Sequence, residues 1–157
     1  MQIECYHIIN KDQPVKGFLD YGTCSDLENT VRYNVYTVLE DNNIINLNYT
    51  GDDEIEYMCI YAHGSRVFGE PKKNSDIDFV LFYKGSIDED SLFNIFADES
   101  IYIEHVKCDF NPIEIEDESD IDYYIQKHDI EYHQKPLTEK KVNLALALDD
   151  YESDSEV

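Results

Sequence analysis

The sequence predicts an α/β fold, and three observations predict it. Two apolar runs of strand length, Ile55 to Ala62 and Ile77 to Tyr83, are rich in β-branched and aromatic residues and are closed by glycine, at Gly64 and Gly85. Before and after them, apolar residues recur at helical spacing, as in Leu27, Val31, Val35, Val38 and Leu39. The 157-residue chain is also 42% hydrophobic, with 13 Tyr and 7 Phe. That is enough apolar material for one domain with a sizeable core, since domains commonly run about 100 to 150 residues.

The elements follow in order. "IECYHIINKDQPVKGFLDY" reads as two short extended runs around a polar turn at Asn10 to Pro14, a hairpin within an N-terminal extension over residues 1–24. Ser25 and Glu28 form an S-x-x-E capping box, so a helix is expected from Ser25 to about Asp41 to Asn43. "NIINLNY" reads as a short strand. Ile55 to Ala62 is a stronger one, and Ile77 to Tyr83 is the next. Asp88 to Ala97 reads as a helix with Leu92, Ile95 and Phe96 inward. "SIYIEHVKCDF" alternates as one strand ended by Pro112.

Ile121, Tyr124, Ile125 and His128 then mark a further helix; "LTEKKVNLALAL" is expected to be the last, capped by Thr138, although Val142, Leu144, Leu146 and Leu148 alternate as a strand would. These elements place the main domain at residues 25–148. Residues 149–157, "DDYESDSEV", are expected to be a disordered acidic tail that cannot bury enough surface to offset its chain entropy.

The charge balance narrows the function classes. With 12 Lys+Arg against 35 Asp+Glu, the formal net charge is -23. Such a chain repels a polyphosphate backbone and offers no counterion-releasing patch, which argues against direct binding of duplex nucleic acid. A bound divalent cation locally reverses that field and is the natural way for an acidic surface to hold a phosphate. Cys5, Cys24, Cys59 and Cys108 are widely spaced without a CxxC pair and are expected to be buried and reduced. No signal stretch opens the sequence and no apolar run approaches about 18 residues, so a cytoplasmic location without membrane contact is expected.

The chemistry concentrates in "HGSRVFGEPKKNSDIDF", residues 63–79. Residues i and i+2 of a strand share a face, so Asp76 and Asp78 aim both carboxylates one way while Ile77 and Phe79 turn to the core. Asp109, late in the next expected strand, is the best third carboxylate, with Glu104 as the alternative. Carboxylates and water match the hard-oxygen preference of Mg²⁺, which draws its remaining ligands from substrate phosphates. The implied substrate is a nucleoside triphosphate. Gly64 lets backbone approach a bulky anion, Ser65 supplies donors, and Arg66, Lys72 and Lys73 bring positive charge to the same loop. His63 is expected to pack at its strand end. The second "SDID", Ser119 to Asp122, lies where the periodicity is helical; Asp120 and Asp122 diverge there and read as a solvated first turn.

The pattern of Gly64-Ser65, ten intervening residues, Asp76-x-Asp78 in an apolar strand and a later strand ending in Asp109 resembles the nucleotidyltransferase superfamily that includes DNA polymerase β, especially its minimal nucleotidyltransferase branch. The resemblance covers about residues 25–113 and implies a nucleotidyltransferase fold, a short mixed β-sheet with helices mainly on one face. It implies that Gly64, Ser65 and Arg66 hold the triphosphate, that Asp76, Asp78 and Asp109 bind Mg²⁺, two ions with substrate present, and that Asp109 prepares an acceptor hydroxyl. The reaction would transfer a nucleoside monophosphate from ATP or another triphosphate and release pyrophosphate. The sequence departs from the branch at Phe68, where many members carry arginine before the second glycine of the loop.

Few residues follow the core motifs, so the acceptor is expected to be small or to belong to a protein partner. A different class of function is an antitoxin-like binding protein with weak or no catalysis. A third, resting on net charge alone, is an acidic decoy imitating nucleic acid.

Overall fold

A row of β-branched and aromatic side chains makes the sheet, and the computed structural model of residues 6–46 and 53–133 contains four strands. Contacts divide the chain into two units, Met1–Glu114 and Ile115–Val157. Within the first, strands β1 (Ile55–His63), β2 (Ile77–Gly85), β3 (Tyr102–Ile103) and β4 (Val106–Glu114) line up as β1-β2-β4-β3. β1 and β2 are antiparallel, β2 and β4 parallel, β4 and β3 antiparallel. This is the expected mixed sheet in an α/β fold.

Alternation along the strands divides the side chains between two faces. One face carries Met58, Ile60 and Ala62 of β1, Ile77, Phe79, Leu81 and Tyr83 of β2, and Cys108 and Phe110 of β4, all buried in one core. Helix α1 (Cys24–Asp41) adds Leu27, Val31, Val35, Val38 and Leu39 to that core. Helix α3 (Glu89–Ala97) adds Leu92 and Phe96, with Ile95 partly buried beside them. Phe79 stacks on Phe110 at 5.4 Å between centroids, and Phe96 meets the same ring at 5.3 Å. α3 spans the connection that brings β4 back parallel to β2, as a parallel pair requires. Asp88 caps it, accepting from the Ser91 N–H at 3.0 Å.

Several expectations are corrected. α1 begins at Cys24 with Thr23 as its N-cap, and Asp26, not Glu28, reaches back to the Thr23 and Gly22 N–H groups at 3.0 and 2.8 Å. Glu28 is drawn instead to the N-terminal segment: it accepts from the Ile8 N–H at 3.3 Å and pairs with Lys11 at 3.7 Å and Arg32 at 3.8 Å. The N-terminal runs do not pair with each other among the described residues. Ile8 bridges in parallel to Ile60 of β1, Pro14 bridges to Thr23, and the Asn10 side chain bonds both backbone groups of Ala62.

The single strand expected over residues 100–110 is a hairpin of β3 and β4 that turns at Glu104, whose φ is 58°. The Glu104 carboxylate offsets that left-handed conformation by accepting from Leu19 N–H and Asp20 N–H, each at 2.9 Å. Pro112 does not end β4 but lies inside it, opposite Leu81. The Cys108 N–H points away from β2, to Ile101 O, and period two turns the Pro112 nitrogen the same way, to the side where β3 has already ended.

In the second unit, α4 (Ser119–His133) forms where the periodicity places it. Asp120 in its first turn accepts from Glu116 N–H and Asp117 N–H at 3.2 and 3.3 Å, and Asp122 is exposed, as a solvated helix start requires. Cys24, Cys59 and Cys108 are buried thiols outside any disulfide; burial pushes the Cys24 and Cys108 thiols up to about 12. No helix among the described residues is long and apolar enough to cross a membrane. Of the strand expected at 43–49, residues 43–46 are not in a strand, and the rest lies outside the described residues, as do Cys5, the helix at 137–148 and the tail at 149–157.

Candidate functional site

The carboxylates come from the sheet face opposite the core. Ile77 and Phe79 are buried in that core, so Asp78 between them turns to the other side; Asp76 stands just ahead of β2, and both aspartates remain partly exposed. The parallel register places Asp78 directly opposite Asp109, and the β1 register places His63 opposite Asp78. Neighbouring strands lie about 4.8 Å apart, so three strand positions from three parts of the chain form one short row across the sheet.

Asp76 lies close enough to Asp109 for the two carboxylates to interact. Burial, and then the Asp76 carboxylate, raise the Asp109 carboxyl above its ordinary value, and Lys107 counters this only in part. The Lys107 ammonium stands 3.5 Å from Asp109 Oδ1 and is held above its ordinary value chiefly by that carboxylate. Lys107 was not among the expected site residues. Its spacing of two from Asp109, which puts both side chains on one face of a strand, is the signal that finds it.

Gly64 joins this row to the loop. It ends β1 with φ 92°, and its carbonyl accepts from Val67 and Phe68 N–H at the start of the short helix α2 (Ser65–Phe68). A Cβ at Gly64 would collide with the Asp78 carboxylate. The missing side chain therefore lets Asp78 lie against the turn, and Ser65 follows at the partly exposed start of α2. His63 is buried with its ring near Tyr61 and Phe68, at 6.1 and 5.9 Å, the packed arrangement expected of it. Phe68, which replaces the arginine of the resembled branch, also stacks on Tyr61.

Arg66, expected to help hold the triphosphate, is buried, 3% exposed, and donates to backbone carbonyls of Ser75 at 2.7 Å, Lys16 at 3.0 Å, Lys73 at 3.3 Å and Lys72 at 3.4 Å. Burial lowers its pKa from the ordinary value, partly offset by Asp76 nearby. Its guanidinium also lies over the Phe18 ring at 5.7 Å. The side chain is thus a clamp that fixes the loop up to Ser75, the residue before Asp76. Lys16 assists by donating to Gly69 O at 2.6 Å, while Lys72 and Lys73 are exposed. Glu104, the alternative third carboxylate, is spent on Leu19 and Asp20.

Among the described residues no group of three or more His, Cys, Asp and Glu side chains is gathered closely enough to cage a metal ion. The three aspartates are instead a two-plus-one set, Asp76 with Asp109 and Asp78 against Gly64. All the donors are hard carboxylate oxygens, and the raised Asp109 carboxyl marks negative charge that Lys107 leaves incompletely compensated. That chemistry fits Mg²⁺, which takes one or two carboxylates and completes its shell with water and substrate phosphate rather than with a closed protein cage.

A family model described as "Polymerase beta, Nucleotidyltransferase" matches residues 42–134, more than half of the chain. No curated protein and no solved structure matches the chain significantly.

Proposed function

The chain belongs to the polymerase beta nucleotidyltransferase family, and from that membership we propose that it transfers a nucleoside monophosphate from a nucleoside triphosphate to an acceptor hydroxyl. Asp76, Asp78 and Asp109 would hold Mg²⁺. When bound, the metal supplies charge stabilisation for the attacking and leaving oxygens of an in-line displacement.

The chain's own residues carry the remaining roles. Gly64 leaves room for the Asp78 carboxylate beside the turn, and Ser65 supplies a hydroxyl there for a triphosphate oxygen. Asp109 accepts the proton of the acceptor hydroxyl. The acceptor oxygen bonds to the α-phosphorus as the bond from that phosphorus to the bridging oxygen breaks, and pyrophosphate leaves. Arg66 acts at one remove by holding Ser75, and so the backbone that carries Asp76, in place.

The observation that carries this reading is the alignment of Asp78 with Asp109 beside the Gly64 turn, with Asp76 in reach of Asp109. The test is incubation of the protein with each α-labelled triphosphate, Mg²⁺ and a lysate of its source cells, followed by a search for a labelled acceptor. A label that requires both Mg²⁺ and Asp76 supports the proposal. Absence of label with every triphosphate, together with no Mg²⁺-dependent nucleotide binding, overturns it. A partner-binding role would show itself differently, as capture of a protein by Asp76→Ala and the unaltered chain alike.

A further inference from the structure

We propose that Lys107 is a resident counter-ion, a positioning residue that keeps Asp76 and Asp109 together in the metal-free protein and is displaced when a divalent cation binds. The inference rests on the reading of these aspartates as metal ligands. It adds a residue that neither the Gly-Ser turn nor the Asp-x-Asp pair contains.

Geometry carries the argument. Lys107 Nζ is 3.5 Å from Asp109 Oδ1. Ile77 is the partner of Cys108, so the register carried one position back sets Lys107 beside Asp76. On its other side Lys107 is paired with Tyr102 of β3, which anchors the backbone from which the side chain extends. Lys107 therefore stands at the end of the carboxylate row, with Asp109 on its own strand and Asp76 across the gap.

Physical need supplies the rest. Carboxylates brought together at a partly buried site repel one another, and the protein as a whole, at -23, offers little positive charge to relieve them. One ammonium on Asp109 relieves part of that repulsion. It also occupies an oxygen a metal would use, and a like-charged dication cannot share the position without repelling it. The Lys107 side chain is 45% exposed, so it can swing into water when the metal arrives, at little cost in packing. A buried arginine could not do this, and Arg66 next door is held by four carbonyls.

The test is Mn²⁺ binding without nucleotide, measured by electron paramagnetic resonance of the free ion, on the unaltered protein and on Lys107→Met, Lys107→Gln and Lys107→Arg. Removing the charge should tighten Mn²⁺ binding roughly three- to fivefold, the scale of one partly exposed charge pair, while Lys107→Arg stays close to the unaltered protein. The metal-free Met and Gln variants should also melt lower than the unaltered protein, with the gap closing as Mn²⁺ is added. Equal or weaker binding by both neutral variants overturns the role of Lys107 while leaving the metal site standing. No binding by any of the four, including the unaltered protein, removes the metal reading and this inference together.

Discussion

Asp78 and Asp109 face each other across the parallel pair of β2 and β4, and Asp109 also interacts with the Asp76 carboxylate. Two segments separated by helix α3 thus deliver three carboxylates to one end of the sheet. The fold gains nothing from this crowding, because burial and Asp76 both make ionised Asp109 unfavourable.

Asp109→Asn should therefore separate stability from activity. A carboxyl raised in the folded state favours folding when protonated and opposes it when ionised. Its cost is absent below the ordinary aspartate range and present in full above the raised value. The metal-free Asn variant should be more stable than the unaltered protein at neutral pH. The difference should fade toward pH of about 3. Under the proposed function, transfer should fall about a hundredfold or more. Melting curves across pH and a single-turnover assay measure the two effects.

Gly64→Ala should harm both. The backbone sits at φ 92°, and the added methyl meets the Asp78 carboxylate. The strain should cost about 1 to 3 kcal/mol. Metal-dependent nucleotide binding should weaken even where the variant folds, because Asp78 must move. Ser65→Ala, in the next position, should melt like the unaltered protein, and calorimetry on the pair checks the contrast.

Arg66→Lys should behave as a structural lesion. Lysine keeps the charge but cannot reproduce the planar fork that serves four carbonyls from residues 16, 72, 73 and 75. A loss of roughly 2 kcal/mol is expected, in the range for buried hydrogen bonds to a charged group. Gly17→Ala should mimic it, since a Cβ there would strike the Arg66 guanidinium from a residue at φ 89°. Denaturant midpoints measure the loss, and hydrogen exchange should show the amides of residues 69–75 opening first.

Glu104→Gln tests the anchor of the β3–β4 turn. The N–H groups of Leu19 and Asp20 hold the Glu104 carboxylate below its ordinary value. A depressed carboxylate contributes stability above its unfolded pKa, and that contribution disappears as pH falls through the folded value. The Gln variant should melt below the unaltered protein at neutral pH and match it once Glu104 is protonated. A melting series from neutral to acid pH checks the convergence.

Elements carried by local periodicity were legible in the sequence. The apolar stripe of Leu27, Val31, Val35, Val38 and Leu39 and the runs that became β1 and β2 lie where spacing put them. So does the contrast between the two "SDID" copies, one leading into β2 and the other opening α4. What failed depended on partners distant in the chain. Glu28 left the capping box for Ile8, Lys11 and Arg32. Glu104 bent a strand into a hairpin through Leu19 and Asp20, and Pro112 stayed in β4 because its nitrogen faces an unpaired edge.

The same division runs through the site. The sequence by itself determined that Asp78 lies on the face of β2 opposite Ile77 and Phe79, because the period of a strand is a local property of the backbone. Only the tertiary structure decided that Asp109 aligns with Asp78, that Arg66 clamps a loop and that Lys107 sits among the carboxylates. The register between strands and the carbonyls within a guanidinium's reach are set by how distant segments pack. No spacing along one chain segment encodes that.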